Sequence, residues 1–169
     1  MRRLILFRHG KAEARSASGL DIDRALARRG CADAAVMGRV LASQGLAPDL
    51  GLVSSALRAR QTWDCALAAF PHARRRLLAE LYDASARAII DQVDGLDDAA
   101  ATVMVVGHNP GLQELAVSLV VEAGGAAFDI AALSAKFPTA SAAVFAADAA
   151  GRWVFDGLLL VRDHGGEGG

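Results

Sequence analysis

The sequence has no apolar stretch near the about 18 uninterrupted residues that a transmembrane helix needs. Its first apolar run, residues 4–7, is also too short for a signal peptide, and Arg8 follows it at once. Neither sign of charge dominates, because 18 basic and 19 acidic residues leave a net charge of −1. This balance argues against a general attraction to nucleic acid or to a membrane surface. We therefore expect a soluble cytoplasmic protein that binds neither.

Cysteine is scarce as well. Cys31 and Cys65 are the only two, they lack the spacing of a metal site, and both fall in predicted helices. We expect reduced thiols packed in the interior, with a disulfide as the alternative.

Apolar residues make up 53% of the chain, which is typical of a globular protein. Residues 3–7, 50–53 and 102–106 are short apolar runs without polar alternation, the pattern of strands buried on both faces of a parallel sheet. Helical patterns cover 24–44, 59–69, 85–94 and 112–122. Residues 141–148 and 152–161 resemble an antiparallel hairpin around a short turn.

Alternating strands and helices predict an α/β fold. We expect a three-layer α/β/α sandwich whose central sheet is mostly parallel, with the hairpin at its edge. Residues 1–163 should form one domain, and the glycine-rich residues 164–169 should form a disordered tail.

Polar side chains follow each of the three predicted parallel strands. Arg8 and His9 follow the first, Arg58 comes shortly after the second, and His108 follows the third. Since ligands bind outside the carboxyl ends of strands in open α/β sheets, these four side chains should converge. Two guanidinium groups and two imidazoles suit a phosphoryl group. A metal site is disfavoured because no carboxylate adjoins the histidines. A Walker loop is absent, which excludes a P-loop nucleotide-binding protein.

Three motifs carry a resemblance to a known family: "FRHGKAE" (7–13), "SSALRARQT" (54–62) and "VVGHNP" (105–110). With this order and spacing the sequence resembles the histidine phosphatase superfamily, which includes the phosphoglycerate mutase-like enzymes. "DIDRALARRG" (21–30) is similar to the segment before the first long helix of small SixA-type phosphohistidine phosphatases. The resemblance implies that His9 is a nucleophile that carries the phosphoryl group, that Arg8, Arg58 and His108 complete the phosphate pocket, and that neither metal nor cofactor is needed.

Several further residues are weaker candidates. The resemblance suggests Glu80 as a general acid that protonates the leaving group, with Asp83 as a substitute. Lys11 and Glu13 could edge the pocket, where Lys11 would bind substrate. Asp23 and Arg24 could shape its mouth or cap the following helix. The remaining expectations are that Ser54 and Ser55 hold Arg8 or Arg58 in place, that Asn109 bonds its own turn, and that His72 and Arg74 to Arg76 are exposed.

The short interval between Glu80 and His108 bears on the substrate. Residues 81–107 leave room for one helix and one strand, so we expect an open groove without a lid. An open groove suits a phosphoryl group borne on a protein, and this favours phosphohistidine on a phosphotransfer protein in a signalling phosphorelay. A small-molecule phosphomonoesterase and a non-catalytic phosphate-binding module are the alternatives. We expect a monomer.

Overall fold

A central β-sheet is the main feature of the computed structural model, which describes residues 1–96 and 100–168. Within these residues the strands are β1 (Arg3–Arg8), β2 (Leu50–Ser54), β3 (Arg74–Leu78), β4 (Thr102–Gly107), β5 (Ala142–Ala147) and β6 (Trp153–Leu159). They lie in the order β3–β2–β4–β1–β5–β6. The first four in that order are parallel, and β5 and β6 add antiparallel pairs at one side.

Helices cover both faces of the sheet. The α-helices of the described residues are α1 (Arg28–Ser43), α2 (Leu57–Ala66), α3 (Ala86–Asp94), α4 (Gly111–Glu122) and α5 (Ala127–Ala135). Side chains of α1 and α2, such as Met37 and Trp63, pack with Ile5 and Val106 on one face. Those of α3, α4 and α5 pack with the opposite face. The expected α/β fold of three layers with an antiparallel hairpin is therefore confirmed.

The structure contains two elements, β3 and α5, that the sequence analysis does not predict. The basic segment Arg74 to Arg76 is exposed as expected, but it belongs to the edge strand β3. Helix α5 follows α4 after a short turn and buries only Leu133 completely. β3 lacks the apolar run that indicated the other parallel strands, and α5 is a short, mostly apolar segment of nine residues.

The long predicted helix over 24–44 is shorter at its start. Residues Asp21–Asp23 form a separate 3-10 turn, and α1 begins at Arg28. Asp23 accepts a hydrogen bond from the Ser18 hydroxyl, so it does not cap α1. Helix α3 starts close to the predicted residue 85. Ser85 caps it, since its hydroxyl accepts a hydrogen bond from the backbone N–H of Ala88.

The expectation of two free thiols is wrong. Cys31 of α1 and Cys65 of α2 form a disulfide, with Cα atoms 5.5 Å apart. The sequence shows that both cysteines lie on helices but not that these helices pack side by side.

The C-terminal segment also differs from the disordered tail expected over 164–169. A 3-10 turn covers Val161–His164, and the backbone N–H of Glu167 donates to Oδ1 of the buried Asp33 on α1. The described residues 164–168 are thus held against α1, and residue 169 lies outside the described residues. No helix within residues 1–96 and 100–168 is both long and apolar enough to cross a membrane.

Candidate active site

The carboxyl ends of β1, β2 and β4 meet at one edge of the sheet. Pairing of Arg8 with Gly107 places the residues that follow these strands, His9 and His108, side by side. The centroids of the two imidazole rings are 5.1 Å apart. Arg58 reaches the same place from the first turn of α2, which starts just beyond the end of β2. The structure therefore brings together the four side chains that the sequence singled out.

His9 is held in one orientation by its neighbour. Its Nδ1 atom lies 2.7 Å from the carbonyl oxygen of Gly10. A carbonyl oxygen only accepts hydrogen bonds, so Nδ1 carries the ring proton and Nε2 keeps a free lone pair. The backbone N–H of Gly10 in turn donates to Thr62 Oγ1. A Cβ atom on Gly10 would collide with the backbone of Gly30 on α1, and a Cβ atom on Gly30 would collide with the backbone of Lys11. The backbone around the nucleophile candidate is thus fixed from two sides.

Both histidines are neutral at physiological pH. Burial, together with the positive charges of Arg58 and Arg8, lowers the pKa of His9 to about 4 against the opposing effect of the Gly10 hydrogen bond. Burial likewise lowers the pKa of His108 to about 3, with added contributions from His9 and Arg58. An imidazole attacks through an unprotonated nitrogen, so a low pKa keeps the Nε2 lone pair of His9 available above about pH 4.

The two arginines are positioned by different partners. Arg8 donates from Nη1 to the carbonyl oxygen of Phe137 at 2.7 Å, and its buried Nε has no protein partner among the described residues. Arg58 is almost fully buried and donates from Nη1 and Nη2 to the backbone and side-chain oxygens of Asp21, at 2.8 and 2.9 Å. Each guanidinium has five N–H bonds, so both retain donors that could bind phosphoryl oxygens.

Asp21 is the centre of a polar network that sequence reasoning missed. Its carboxylate accepts hydrogen bonds from Arg24, Arg58 and Tyr82. These partners lower its pKa to about 2, with Arg24 contributing most, so Asp21 is a carboxylate and not a proton donor at neutral pH. The signal in the sequence is the position of Asp21 in the segment 21–30, because that whole segment resembles the SixA-type proteins.

Tyr82 forms one wall of the site. Its ring is edge-on to the ring of His108 with centroids 5.8 Å apart, and the guanidinium of Arg58 lies 5.9 Å from its centroid. Arg24 connects this network to the nucleophile loop, because its Nε donates to the carbonyl oxygen of Glu13. Arg24 therefore takes part at the mouth of the site, as the sequence suggested.

Ser54 has a different partner from the one expected. Its hydroxyl lies 2.8 Å from Nε2 of His108, and it contacts neither Arg8 nor Arg58 by a hydrogen bond. The expectation that Ser54 and Ser55 hold an arginine is therefore wrong for Ser54, and the side chain of Ser55 makes no hydrogen bond within the described parts of the chain. Strand order explains the difference, since β2 lies beside β4, which leads into His108.

The loop after β4 is tied to the end of α5. Asn109 donates from Nδ2 to Gln113 of α4 at 3.1 Å and to the carbonyl oxygen of Phe137 at 3.1 Å. The Asn109–Pro110 peptide is cis, and α4 starts at Gly111. Asn109 thus stabilises its own turn, as expected, and also binds the segment that follows α5.

Lys11 and Glu80 are both exposed. Glu80 lies in a 3-10 turn (Ala79–Leu81) after the carboxyl end of β3, next to the strand that precedes Arg58. Neither side chain forms a hydrogen bond or ion pair within the part of the chain that the structure describes. His72 is exposed as expected. Among residues 1–96 and 100–168, no three His, Cys, Asp or Glu side chains are grouped so that they could hold a metal ion.

The arrangement defines a phosphoryl-transfer site: a neutral imidazole with a free lone pair, flanked by two arginines and a second imidazole. Comparison with known proteins agrees with this class. Residues 4–86 match the histidine phosphatase superfamily (branch 1). An uncharacterized protein of Mycobacterium tuberculosis is 36% identical over 79% of this chain and 81% of its own length. An uncharacterized chloroplastic protein of Arabidopsis thaliana is 33% identical over 94% and 77%.

A solved structure extends the likeness to almost the whole chain. The protein assigned as the phosphohistidine phosphatase SixA of Agrobacterium tumefaciens is 30% identical, with a TM-score of 0.82 over 94% of this chain and 97% of that one. The chain belongs to the histidine phosphatase superfamily. It is a phosphatase with a SixA-like fold.

Proposed function

We propose that this chain, as a monomer with residues 1–163 forming its histidine phosphatase domain, removes the phosphoryl group from phosphohistidine on a phosphotransfer protein. The observation that carries the proposal is the hydrogen bond from His9 Nδ1 to Gly10, which leaves Nε2 free beside Arg8 and Arg58. Nε2 attacks phosphorus as the bond to the substrate nitrogen breaks. The departing imidazole keeps the electron pair and takes a proton from solvent.

In the second half of the reaction, water attacks the phosphorus on His9. Inorganic phosphate leaves, the electron pair of the P–N bond returns to Nε2, and the proton on Nδ1 stays in place throughout. Arg8 and Arg58 offset the charge on the equatorial oxygens in both steps, and His108 donates to one of them. We assign Lys11 to the exposed rim of this pocket, where its ammonium group would attract an anionic substrate.

Two observations support a protein substrate. The SixA protein that shares 30% of its residues with this chain is assigned as a phosphohistidine phosphatase. In addition, α3 and β4 take up most of the chain between Glu80 and His108, so this interval contributes no long insertion over the site. Asp21 and Tyr82 at the mouth remain partly exposed, which agrees with an open groove.

The substrate class is tested by comparing a phosphohistidine-bearing phosphotransfer domain with a panel of phosphate monoesters. We expect kcat/KM to be at least about 100-fold higher for the phosphohistidine protein. Faster turnover of the monoesters would instead identify a small-molecule phosphomonoesterase. If the folded protein turned over neither substrate but bound vanadate, it would be a phosphate-binding module.

Glu80→Gln should affect the two substrate types unequally. An alkoxide leaving group needs a proton more than an imidazole does, so we expect a loss of about 100-fold on monoesters and little change on phosphohistidine. Steady-state kinetics on both substrates measures this difference, with Glu122→Gln at the far end of α4 as the matched control. Equal losses on the two substrates would contradict the role of Glu80 as an acid, and a larger effect of Asp83→Asn would transfer that role to Asp83.

A further inference from the structure

The contact between Ser54 and His108 allows two arrangements of hydrogen atoms. The Ser54 hydroxyl can donate to Nε2, or it can accept a hydrogen bond from Nε2–H. His108 is neutral because burial lowers its pKa to about 3, with His9, Arg58 and Arg8 adding to the effect and Asp21 opposing it. A neutral imidazole carries a single proton, so the choice at Nε2 also decides whether Nδ1 is a donor.

The surroundings of Ser54 favour one arrangement. Its side chain is fully buried, and its oxygen already accepts a hydrogen bond from the backbone N–H of Ala56 at 3.4 Å. Within residues 1–96 and 100–168, the hydroxyl has Nε2 of His108 as its one available acceptor. If Nε2 carried the proton, the hydroxyl hydrogen would be buried without an acceptor, which costs free energy.

The other ring nitrogen points to the same answer. His108 is 5% exposed, and its buried Nδ1 has no protein partner in the described parts of the chain. A proton on Nε2 would therefore leave two groups unsatisfied, the Ser54 O–H and the Nδ1 lone pair. A proton on Nδ1 leaves only the Nδ1–H, and that group is the donor that an anionic ligand beside His9 needs.

We propose that Ser54 is a positioning residue: its hydroxyl donates to Nε2 of His108, keeps the ring proton on Nδ1, and thereby directs an N–H donor at the transferring phosphoryl group. The first part follows from the hydrogen-bond geometry around Ser54 and from the neutral charge of the His108 ring. The last part rests on the proposed function. If the tautomer were reversed, a lone pair would face the phosphoryl oxygens and would repel them.

The tautomer is measured directly by long-range ¹H–¹⁵N correlation on protein with ¹⁵N-labelled histidine at neutral pH, without substrate. The His108 signals are assigned by their loss in His108→Ala. We expect the pattern of a ring protonated at Nδ1 in the unmodified protein, and a shift toward the Nε2-protonated form in Ser54→Ala. An Nε2-protonated ring in the unmodified protein, or an unchanged ring in Ser54→Ala, would overturn the proposal.

Kinetics of the same variants separates positioning from general structural damage. We expect Ser54→Ala to lower kcat about 10-fold with a smaller change in KM, and Ser54→Thr to restore both kcat and the Nδ1-protonated ring. Ser55→Ala is the matched control and should leave both unchanged. Because the tautomer is read without substrate, an inactive protein with an Nδ1-protonated His108 would refute the proposed function but would still support the effect of Ser54 on the tautomer. If Ser54→Ala does not fold, the tautomer of His108 in the unmodified protein still tests the proposal.

Discussion

Replacing His9 with alanine is expected to lower the rate of phosphate release at least about 10⁴-fold, because the nucleophile is lost. No other side chain of the described site offers a neutral, oriented nitrogen at the position of His9 Nε2. The described site contains a second imidazole, but Nε2 of His108 is occupied by Ser54. Phosphate release measures the rate. Labelling of the protein with a radioactive phosphoryl donor measures the covalent intermediate. The label should be acid-labile in the unmodified protein and absent from His9→Ala.

His72→Ala is the matched control for this experiment. His72 is an exposed histidine just before the amino end of β3, at the opposite edge of the sheet from the site, so its loss should change neither turnover nor labelling. Substantial turnover by His9→Ala, or a phosphoenzyme in that variant, would contradict the role of His9 as nucleophile. Loss of turnover with labelling retained elsewhere in the chain would identify a different nucleophile.

Arg58→Ala is expected to reduce kcat/KM about 10³-fold. The variant removes a buried guanidinium that could bind a phosphoryl oxygen, and it leaves the Asp21 carboxylate without its main buried partner beside the site. The Asp21 carboxylate, still bound by Arg24 and Tyr82 but no longer offset by Arg58, would then repel the anionic substrate, which adds to the loss. Vanadate affinity measures the same interaction without catalysis and should fall together with kcat/KM.

Two variants make the Arg58 experiment specific. Arg60→Ala removes an exposed arginine from the same helix and should have little effect on kcat/KM. Arg58→Lys keeps the positive charge but replaces the planar guanidinium and its five donors with a compact ammonium group, so its activity should lie between those of the parent and Arg58→Ala. A fully active Arg58→Lys would show that charge alone is needed, and a fully active Arg58→Ala would remove Arg58 from the phosphate pocket.

The convergence of the four central side chains could be predicted because it depends only on strand ends. Apolar runs without alternation indicate buried parallel strands, and all such strands end at the same edge. His9 and His108 therefore had to lie close together if both strands belonged to one sheet, although nearly a hundred residues separate them. The order of the strands was not needed for that conclusion.

The remaining features depend on which elements are neighbours, and a single sequence does not show this. The Ser54–His108 contact requires β2 beside β4, and the disulfide requires α1 beside α2. Strand β3 was missed for another reason. An edge strand with exposed arginines has no need of an apolar pattern, and charged residues are common there because they discourage pairing with other chains.

The Asp21 network was missed because its members come from distant turns. Asp21 precedes α1, whereas Tyr82 follows the 3-10 turn after β3, and only the folded chain brings their oxygen atoms to 3.0 Å. The charge of Asp21 suggested nothing by itself, because acidic residues before a helix are common caps.

The position of β1 in the sheet has a consequence for the order in which the chain becomes active. β1 precedes the other elements that the structure describes, yet both of its neighbours, β4 and β5, come much later in the sequence. Contacts between residues so far apart form slowly, because the chain entropy of a long loop must be lost first. A growing polypeptide on the ribosome therefore carries His9 before it can fix that residue in place, because Ala142–Ala147 must emerge first. The orientation of His9, and with it phosphatase activity, depends on a strand that is synthesised long after the nucleophile itself.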